Sequence, residues 1–421
     1  MARGRDEGLW RNPSFRLLWL GQASAIAGGQ IRLVVLPVLM FQLTGSATQT
    51  ALVLTVQLAP YLVFGLVAGA VADRANRRAI MIAADLTCAG AMASIPAAAM
   101  WGTLTPAQIY VAGTVTGTAF VWHDSALFGA LPTIVGRQRV AAAYGVFVST
   151  SQFLQVVATA VAGVLIAAIG AQNALWIDAA SYAVSAVTIA LVPAALRRAA
   201  APGRPARLVT EIAEGLRYVR RHPVIWPLTS AGLGAGLVNG AVTGLVVVYG
   251  VRQLGLPDDD VRLGWLFTAL AAGGLVAGLA LPLLSRRVNP PRLTLLGLSA
   301  MVVLLVALSP TSLLVGGLVL LTAWGAASTL VIANGIALRQ QLAPDRLQGR
   351  VNVTARMIAA GGIPAGSAIG GLLADQTSVP TALAVMTVGM ALTAAYAWSS
   401  PLRRIEAGTI ARMAEEADRA P

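Results

Sequence analysis

Residues 48–101 read TQTALVLTVQLAPYLVFGLVAGAVADRANRRAIMIAADLTCAGAMASIPAAAMW. Two apolar runs, 48–72 and 79–101, flank a short loop that carries three arginines. A run of about 20 apolar residues is long enough to cross the hydrocarbon core of a bilayer as a helix. This stretch therefore predicts two transmembrane helices joined by a basic loop.

The rest of the chain repeats this pattern. It is 57% hydrophobic and 11% charged, with a mean hydropathy of +0.74, whereas soluble domains carry about 25% charged residues. Most of the surface must therefore face lipid, and the fold class that we predict is an all-α membrane protein. Apolar runs bounded by Arg, Pro or polar clusters predict twelve transmembrane helices, at 16–43, 48–72, 79–101, 106–132, 140–169, 173–195, 224–251, 261–284, 292–309, 312–337, 351–374 and 379–400.

The basic residues predict the orientation. All 30 are arginines. If both termini are cytoplasmic, 26 arginines fall in cytoplasmic segments, Arg252 and Arg262 fall outside, and Arg32 and Arg356 lie within spans. Positively charged loops resist translocation, so we expect a multi-pass protein of the bacterial inner membrane with both termini in the cytoplasm. The net charge of +13 is spread over loops, whereas nucleic-acid binding needs a basic soluble surface, so we expect no nucleic-acid partner.

Residues that would support enzyme chemistry are missing from the sequence. The single cysteine, Cys88, lies inside an apolar run and excludes an internal disulfide. No His/Cys cluster, nucleophile elbow or phosphate loop is present. We therefore expect no enzymatic activity, no metal and no cofactor. The charged N-terminal segment lacks an apolar core followed by a cleavage site, so we expect the first span to be retained.

An internal repeat predicts two related halves. We expect an N-terminal six-helix bundle over 1–196, a cytoplasmic linker over 197–222, a C-terminal six-helix bundle over 223–400 and a cytoplasmic tail over 401–421. Parallel repeats of this kind place a substrate site between the halves, near the membrane midplane. A shift of 209 residues superposes Gly65, Gly69, Arg77, Arg78 and Arg137 on Gly274, Gly278, Arg286, Arg287 and Arg346.

The linker carries its own pattern. Leu208, Ile212, Leu216 and Val219 recur at helical spacing among charged residues. This pattern predicts a short amphipathic helix that lies on the membrane face, as a tether or as a regulatory site.

The loop between the second and third spans resembles a family signature. Its sequence, Gly69-Ala70-Val71-Ala72-Asp73-Arg74-Ala75-Asn76-Arg77-Arg78, is similar to the Gly-x-Leu-Ala-Asp-Arg-x-Gly-Arg-Arg signature of the major facilitator superfamily, with Asn in place of the last glycine. The resemblance implies two pseudo-symmetric six-helix bundles and a gating latch in which Asp73 faces the positive N-terminus of the eleventh helix. Gly69 would belong to this latch, and Arg74, Arg77 and Arg78 would tie neighbouring helices and lipid headgroups, or serve only as topology signals.

Further stretches resemble one branch of that superfamily, the enterobactin-exporter and macrolide-efflux type. They are Asn12-Pro13-Ser14-Phe15-Arg16-Leu17-Leu18-Trp19, Leu43-Thr44-Gly45-Ser46, Trp176-Ile177-Asp178-Ala179-Ala180-Ser181-Tyr182 and Glu214-Gly215-Leu216-Arg217-Tyr218-Val219. The resemblance implies a secondary active transporter, a proton antiporter that exports a small amphipathic drug, siderophore or natural product by alternating access. We expect a small-molecule substrate, protons as the coupling ion, the lipid bilayer as surroundings and a monomer.

Ionisable residues at membrane depth are candidate site residues, because each costs several kcal/mol unless it is paired or wetted. Arg32 lies in span one, and His123 and Asp124 lie in span four; both spans line the cavity in the fold that the resemblance implies. We predict Asp124 as the proton-coupling acid, with Arg32 as its partner or as an anchor for an anionic substrate. A static ion pair is the alternative. His123 points about 100° away from Asp124, so it is either a proton relay or a lipid-facing structural residue.

Other polar residues have weaker predicted roles. We expect Asp85 to pair with the arginines of the signature loop, and Asp375 to be solvated. Asp178 serves packing or capping, or else transport. The polar residues that could line the substrate cavity are Gln30, Gln57, Gln152, Asn239, Asn334 and Asp178.

Two other functions fit the same composition. An uptake permease of the same fold would use the same spans, but a permease for polar nutrients would need more charge in the second half. A non-transport membrane signalling protein is the third possibility.

Overall fold

A computed structural model describes residues 8–72, 75–192, 208–344 and 347–405. Within these ranges the chain is helical. The thirteen α-helices are α1 Pro13–Thr44, α2 Ala47–Ala72, α3 Arg77–Met100, α4 Pro106–Val135, α5 Val140–Ile169, α6 Ala171–Leu191, α7 Leu208–Arg221, α8 Ile225–Val248, α9 Arg262–Arg287, α10 Pro290–Leu308, α11 Leu314–Leu342, α12 Gln348–Gln376 and α13 Val379–Ser399.

Eleven of these helices are long and apolar enough to cross a membrane. The helix α4, with 30 residues, is not among them, and α7 has only 14 residues. The expected all-helical membrane fold is therefore confirmed, and each predicted span corresponds to one long helix.

Local signals in the sequence set several helix ends. Asn12 caps α1, because its side chain accepts hydrogen bonds from the backbone N–H groups of Ser14 and Phe15. The same helix ends at Gly45, whose φ of 63° is a left-handed conformation that glycine adopts without strain. Asn76 caps α3 by accepting from the N–H of Ala79. This cap accounts for asparagine in place of the signature glycine.

The chain divides into two compact units. Unit 1 comprises Met1–Gly45, Val56–Pro205 and Asp259–Trp265, and unit 2 comprises Ser46–Thr55, Ala206–Asp258 and Leu266–Pro421. In unit 1, α1 packs on α6, α5 and α4, and α3 packs on α4 and α6. In unit 2, α8 packs on α12 and α13, and α10 packs on α11 and α13.

The first residues of α2 pack on α12 inside unit 2. Ser367 donates a hydrogen bond from its hydroxyl to the carbonyl of Ala51, at 2.7 Å. Thr55 likewise donates to the carbonyl of Pro364, at 2.9 Å. Glycine makes this approach possible, since a Cβ at Gly371 would lie 2.6 Å from the side chain of Ala51.

Small residues also bring α8 and α12 together, as expected where helices in lipid gain little from hiding apolar surface. A Cβ added at Gly240 or Gly366 would overlap a backbone carbonyl of the facing helix. The repeated glycines of α2 and α9 differ from these, because a Cβ at Gly69 or Gly278 meets nothing within 4 Å. Glycine is therefore needed for close helix packing at Gly366, and not at Gly69 or Gly278.

The linker helix α7 is attached to the bundle. Val219 is completely buried, and α7 packs against α12. The Tyr218 hydroxyl donates to the carbonyl of Leu342 at 3.3 Å. The prediction of a helix is confirmed within the described residues 208–221, but its C-terminal turn packs on protein instead of lying only on lipid. The rest of the predicted linker, 197–207, lies outside the described residues.

Candidate functional site

Unit 1 contains a polar cavity of about 220 Å³ between α1, α3, α4, α5 and α6. It brings together ionisable side chains that lie far apart in the sequence. A cavity of this size with several polar groups in its wall is large enough to hold water. Its lining residues are Gln22, Ala25, Ile26, Gly29, Gln30, Arg32, Asp85, Cys88, Phe120, His123, Ser151 and Tyr182.

An ion pair between α1 and α6 forms one side of the site. Arg32 Nη1 lies 2.9 Å from Asp178 Oδ2, and the Asp178 side chain is completely buried. The same nitrogen donates to the Tyr182 hydroxyl at 2.8 Å, and Arg32 Nε donates to Gln57 Oε1 at 3.4 Å. The guanidinium also lies 5.5 Å from the centre of the Tyr182 ring, within cation–π range.

This pairing corrects the prediction for Arg32. We expected Asp124 as its partner, but the structure pairs Arg32 with Asp178, because α1 packs closely on α6. A Cβ at Gly28 would lie 2.6 Å from Asp178 Oδ1, so glycine at this position gives the carboxylate its room. Asp124 is half-buried and forms no hydrogen bond or ion pair with any described residue.

A second pair, between α3 and α4, forms the other side. His123 Nδ1 lies 2.9 Å from Asp85 Oδ1, and both side chains are buried. On the opposite edge of the ring, Gln22 Nε2 lies 2.5 Å from His123 Nε2. The expectation that Asp85 pairs with the signature arginines is therefore wrong. The lipid-facing alternative for His123 is also wrong, because its side chain is buried between Asp85 of α3 and Gln22 of α1.

The hydrogen bonds of His123 can serve both of its protonation states. When the ring is neutral, Gln22 donates to Nε2, and Nδ1 carries the proton 2.9 Å from Asp85 Oδ1, without a hydrogen bond of good geometry to any described residue. When the ring is cationic, rotation of the Gln22 amide presents its oxygen to the Nε2 proton. Both oxygens of the Asp85 carboxylate lie inside the protein, and Oδ2 accepts no hydrogen bond within the described residues.

The net charge of the site differs between these two protonation states. Arg32 and Asp178 cancel, so ionised Asp85 with a neutral His123 leaves one negative charge in the cavity. One proton on the His123–Asp85 pair removes that charge. Because interactions between buried charges are weakly screened, proton binding here is coupled to any other charge that enters the cavity.

The gating signature lies partly outside the described residues: Asp73 and Arg74 are not described. Arg77 Nη1 donates to the carbonyl of Gly129 on α4 at 2.5 Å, and its Nε donates to the carbonyl of Ala72 at 3.2 Å. Arg78 Nη2 donates to the carbonyl of Ala190 on α6. Both arginines thus join α3 to neighbouring helices.

Three glutamines were predicted to line the substrate cavity, and the structure places each of them differently. Gln30 lines the polar cavity, and its Oε1 is buried without a hydrogen-bond partner in the described part of the chain. Gln57 contacts Arg32, as described above. Gln152 lines neither of the two cavities described here, so nothing in the structure supports it as a substrate contact.

Unit 2 contains an apolar cavity of about 160 Å³ lined by α8, α10, α11 and α12. Asn239 lines it and accepts a hydrogen bond from Trp324 Nε1 at 3.1 Å. Asn334 does not line it. Its amide instead donates to the carbonyl of Pro290 at 2.6 Å and to Thr294 Oγ1 at 2.7 Å. The Asn334 amide therefore joins α11 to α10 instead of facing this cavity.

Sequence reasoning missed Arg339, which lines the same cavity. We counted it in a cytoplasmic loop because the predicted span ended at residue 337. The helix α11 continues to Leu342, and Arg339 is buried with 5% of its surface exposed. The run 336–342, which contains no glycine, asparagine or proline, was the available signal.

Asp375 also differs from its expected solvated state. Its carboxylate accepts hydrogen bonds from the Ser46 hydroxyl at 2.6 Å and from the N–H groups of Ala47 and Thr48 at 2.8 Å each. Arg252 Nη2 lies 3.0 Å away. The side chain therefore caps the first turn of α2.

Comparison with known proteins agrees with the helical membrane fold described above. The sequence model of the Major Facilitator Superfamily matches residues 18–367. The chain is 31% identical to the multidrug efflux pump Tap of Mycobacterium tuberculosis over 315 residues, which is 70% of this chain and 72% of that protein. It is 24% identical to the enterobactin exporter EntS of Salmonella typhi over 376 residues, 88% of each chain.

A solved structure supports the fold. The chain superposes with a TM-score of 0.76 on an inward-facing bacterial homologue of the human lysosomal transporter Spinster, with 14% sequence identity. The match covers 99% of this chain and 100% of the other. The resemblance to exporters of this superfamily is therefore confirmed, and these relatives and this neighbour are named as transporters rather than enzymes.

Proposed function

The chain belongs to the Major Facilitator Superfamily, and we propose that it is a proton-coupled exporter of small amphipathic compounds. Its relatives include proteins named as a multidrug efflux pump and an enterobactin exporter. This similarity supports export over an uptake permease or a non-transport signalling protein, the alternatives that composition left open.

In this proposal the chain crosses the bacterial inner membrane twelve times. The helix α4 is the twelfth span beside the eleven apolar ones, and both termini are cytoplasmic. The bundles over 1–196 and 223–400 move by alternating access around the linker 197–222, and the tail 401–421 stays in the cytoplasm. The arginine distribution supports this orientation. One chain carries all the candidate residues, which supports a working monomer.

The observation that carries the proposal is the pair of buried ionic contacts in one cavity. The Arg32–Asp178 contact is a fixed ion pair, while His123 Nδ1 lies 2.9 Å from the Asp85 carboxylate and its Nε2 contacts Gln22, whose amide can donate or accept. Buried ionisable groups in membrane proteins mark ion and proton pathways. We assign proton coupling to His123 and Asp85, assisted by Arg32 and Asp178.

Asp124 remains a candidate in this proposal. It lies beside His123 at the same depth, half-buried and without a partner among the described residues. It could pass protons between the His123–Asp85 pair and water. Asp73, Arg74, Arg77 and Arg78 remain the proposed gating signature.

Proteoliposomes with an internal pH dye test the assignment. A panel of ethidium, 1-pyrenemethanol and 1-pyrenebutyrate supplies a cationic, a neutral and an anionic amphiphile. We expect at least one of them to drive proton movement through the wild-type protein. Asp85→Asn and His123→Asn should abolish that movement, because neither side chain can then complete the proton site.

Asp259→Asn is the matched control, because Asp259 is an exposed acid without a partner in the described part of the chain. It should leave proton movement unchanged. If Asp124→Asn abolishes proton movement and Asp85→Asn leaves it intact, the assignment moves to Asp124. Wild-type protein that moves the amphiphiles at the same rate with and without a pH gradient would refute proton coupling.

A further inference from the structure

Arg339 occupies an unusual position for a transmembrane arginine. It lies close to the C-terminal end of α11, which finishes at Leu342. An arginine near a helix end ordinarily extends toward the headgroups, because its long stem lets the guanidinium reach water. The Arg339 side chain instead lies back over Gly335, where an added Cβ would be 3.7 Å from Nη1. The charge is therefore inside unit 2 instead of at its edge.

The guanidinium has no partner in the described part of the chain. No carboxylate, carbonyl or hydroxyl there accepts a hydrogen bond from it, and Nε is fully buried without an acceptor. Arg339 as a whole is 95% buried, since only 5% of its surface is exposed. A buried charge without a counter-charge destabilises the folded state, so an unsatisfied donor of this kind indicates a missing acceptor.

The lining of the unit 2 cavity indicates which kind of ligand would carry the missing acceptor. Arg339 lines the cavity of about 160 Å³ in unit 2. Its walls are mostly apolar residues, with Asn239, Thr294 and Ser328 as the neutral polar ones. Arg356 is the second cationic residue in the lining, and no lining residue carries a carboxylate. The cavity thus combines an apolar volume with positive charge.

We propose that this cavity binds a small amphipathic monoanion: an aromatic or alicyclic body that carries one carboxylate, with Arg339 as its ionic partner. The planar guanidinium matches a carboxylate with two parallel hydrogen bonds. An apolar cavity of about 150 Å³ binds benzene, so a cavity of about 160 Å³ has the size expected for a small aromatic body. As a statement about the exported substrate class, the inference rests on the proposed function.

Binding to the purified full-length protein in a neutral detergent tests the site without transport. The probe is 1-naphthoate, and its neutral isostere is 1-naphthamide; both are followed by their fluorescence. We expect the carboxylate to bind at least about tenfold more tightly than the amide, because only the anion forms charge-assisted hydrogen bonds with Arg339. Arg339→Gln should weaken naphthoate binding about tenfold or more and leave naphthamide binding unchanged.

Arg286→Gln is the matched control, because Arg286 is an exposed arginine at the end of α9 in the same unit. It should bind naphthoate like the wild type. A stability measurement separates binding from misfolding. Without ligand, Arg339→Gln should unfold at the same or a higher temperature than the wild type, since it removes a buried unpaired charge. Naphthoate should raise the unfolding temperature of the wild type and of Arg286→Gln, but not that of Arg339→Gln.

Four results would overturn the proposal. They are equal affinity for acid and amide, unchanged naphthoate binding in Arg339→Gln, equal loss in Arg286→Gln, and displacement of naphthoate by phosphatidylglycerol but not by phosphatidylcholine, which would assign the site to a lipid headgroup. Arg339-dependent binding without any proton movement in proteoliposomes would refute the proposed function and leave the site standing. Proton movement without Arg339-dependent binding would refute the anion site and leave the proposed function standing.

Discussion

Asp178→Asn tests whether the buried ion pair holds unit 1 together. Asp178 is completely buried, and its Oδ2 lies 2.9 Å from Arg32 Nη1. The substitution keeps the shape of the side chain but removes the counter-charge, so the guanidinium meets only neutral oxygens, those of the new amide, Tyr182 and Gln57. Removing one member of a buried pair costs about 3–5 kcal/mol. We therefore expect the free energy needed to open unit 1 to fall by about 3–5 kcal/mol.

The single cysteine provides the assay. Cys88 is 2% exposed and lines the same cavity as Arg32, so a thiol-reactive dye reaches it only when unit 1 opens. A loss of about 3–5 kcal/mol should accelerate labelling by roughly two to three and a half orders of magnitude. Asp259→Asn, an exposed acid without a described partner, should change the rate by less than about fivefold.

A double substitution separates pairing from packing. Arg32→Gln combined with Asp178→Asn removes both charges and keeps two side chains that can hydrogen-bond to each other. It should restore most of the protection lost in Asp178→Asn, because no uncompensated charge remains. Heat-induced loss of the monodisperse peak in size-exclusion chromatography is the second readout. Wild-type labelling rates in Asp178→Asn, or additive losses in the double variant, would refute the role of the pair.

Two further predictions concern the cap of α8 and the contact between α8 and α12. The His222 Nδ1 atom accepts from the N–H groups of Val224 and Ile225 at 3.2 Å each, and burial lowers the pKa of His222 below its ordinary value. Because the folded state favours the neutral ring, the cap's contribution of about 1 kcal/mol is present above the ordinary pKa of about 6.5. This contribution is lost as pH falls through the lower pKa of the folded state. His222→Asn should therefore flatten the pH dependence of thermal unfolding. An unchanged dependence of the unfolding temperature on pH would contradict the cap. Gly366→Ala should destabilise the protein by at least about 2 kcal/mol, because its Cβ would overlap the backbone of Leu237. Gly278→Ala, which meets open space, should stabilise α9 by up to about 1 kcal/mol, and equal melting temperatures for the two variants would show that the close approach carries no energy.

The sequence by itself determined where the chain crosses the membrane. Hydropathy located each long helix, because the cost of burying polar backbone in lipid leaves helices as the only solution for such apolar runs. Local chemistry also predicted helix ends: Asn12 and Asn76 cap because their side chains are short acceptors beside free N–H groups. The signature loop and the exporter-like stretches indicated the family from residues that lie close together in the chain.

The tertiary structure alone decided which charged residues meet. Helical geometry fixes the angle between His123 and Asp124 on one helix, but not which neighbouring helix either residue faces. In a soluble protein a polar face would have shown the outward direction. In a lipid-facing bundle both faces of a helix are apolar, so hydropathy does not mark the inward face of α4. The close packing of α1 on α6 selected Asp178 for Arg32, and the length of α11 placed Arg339 inside the protein.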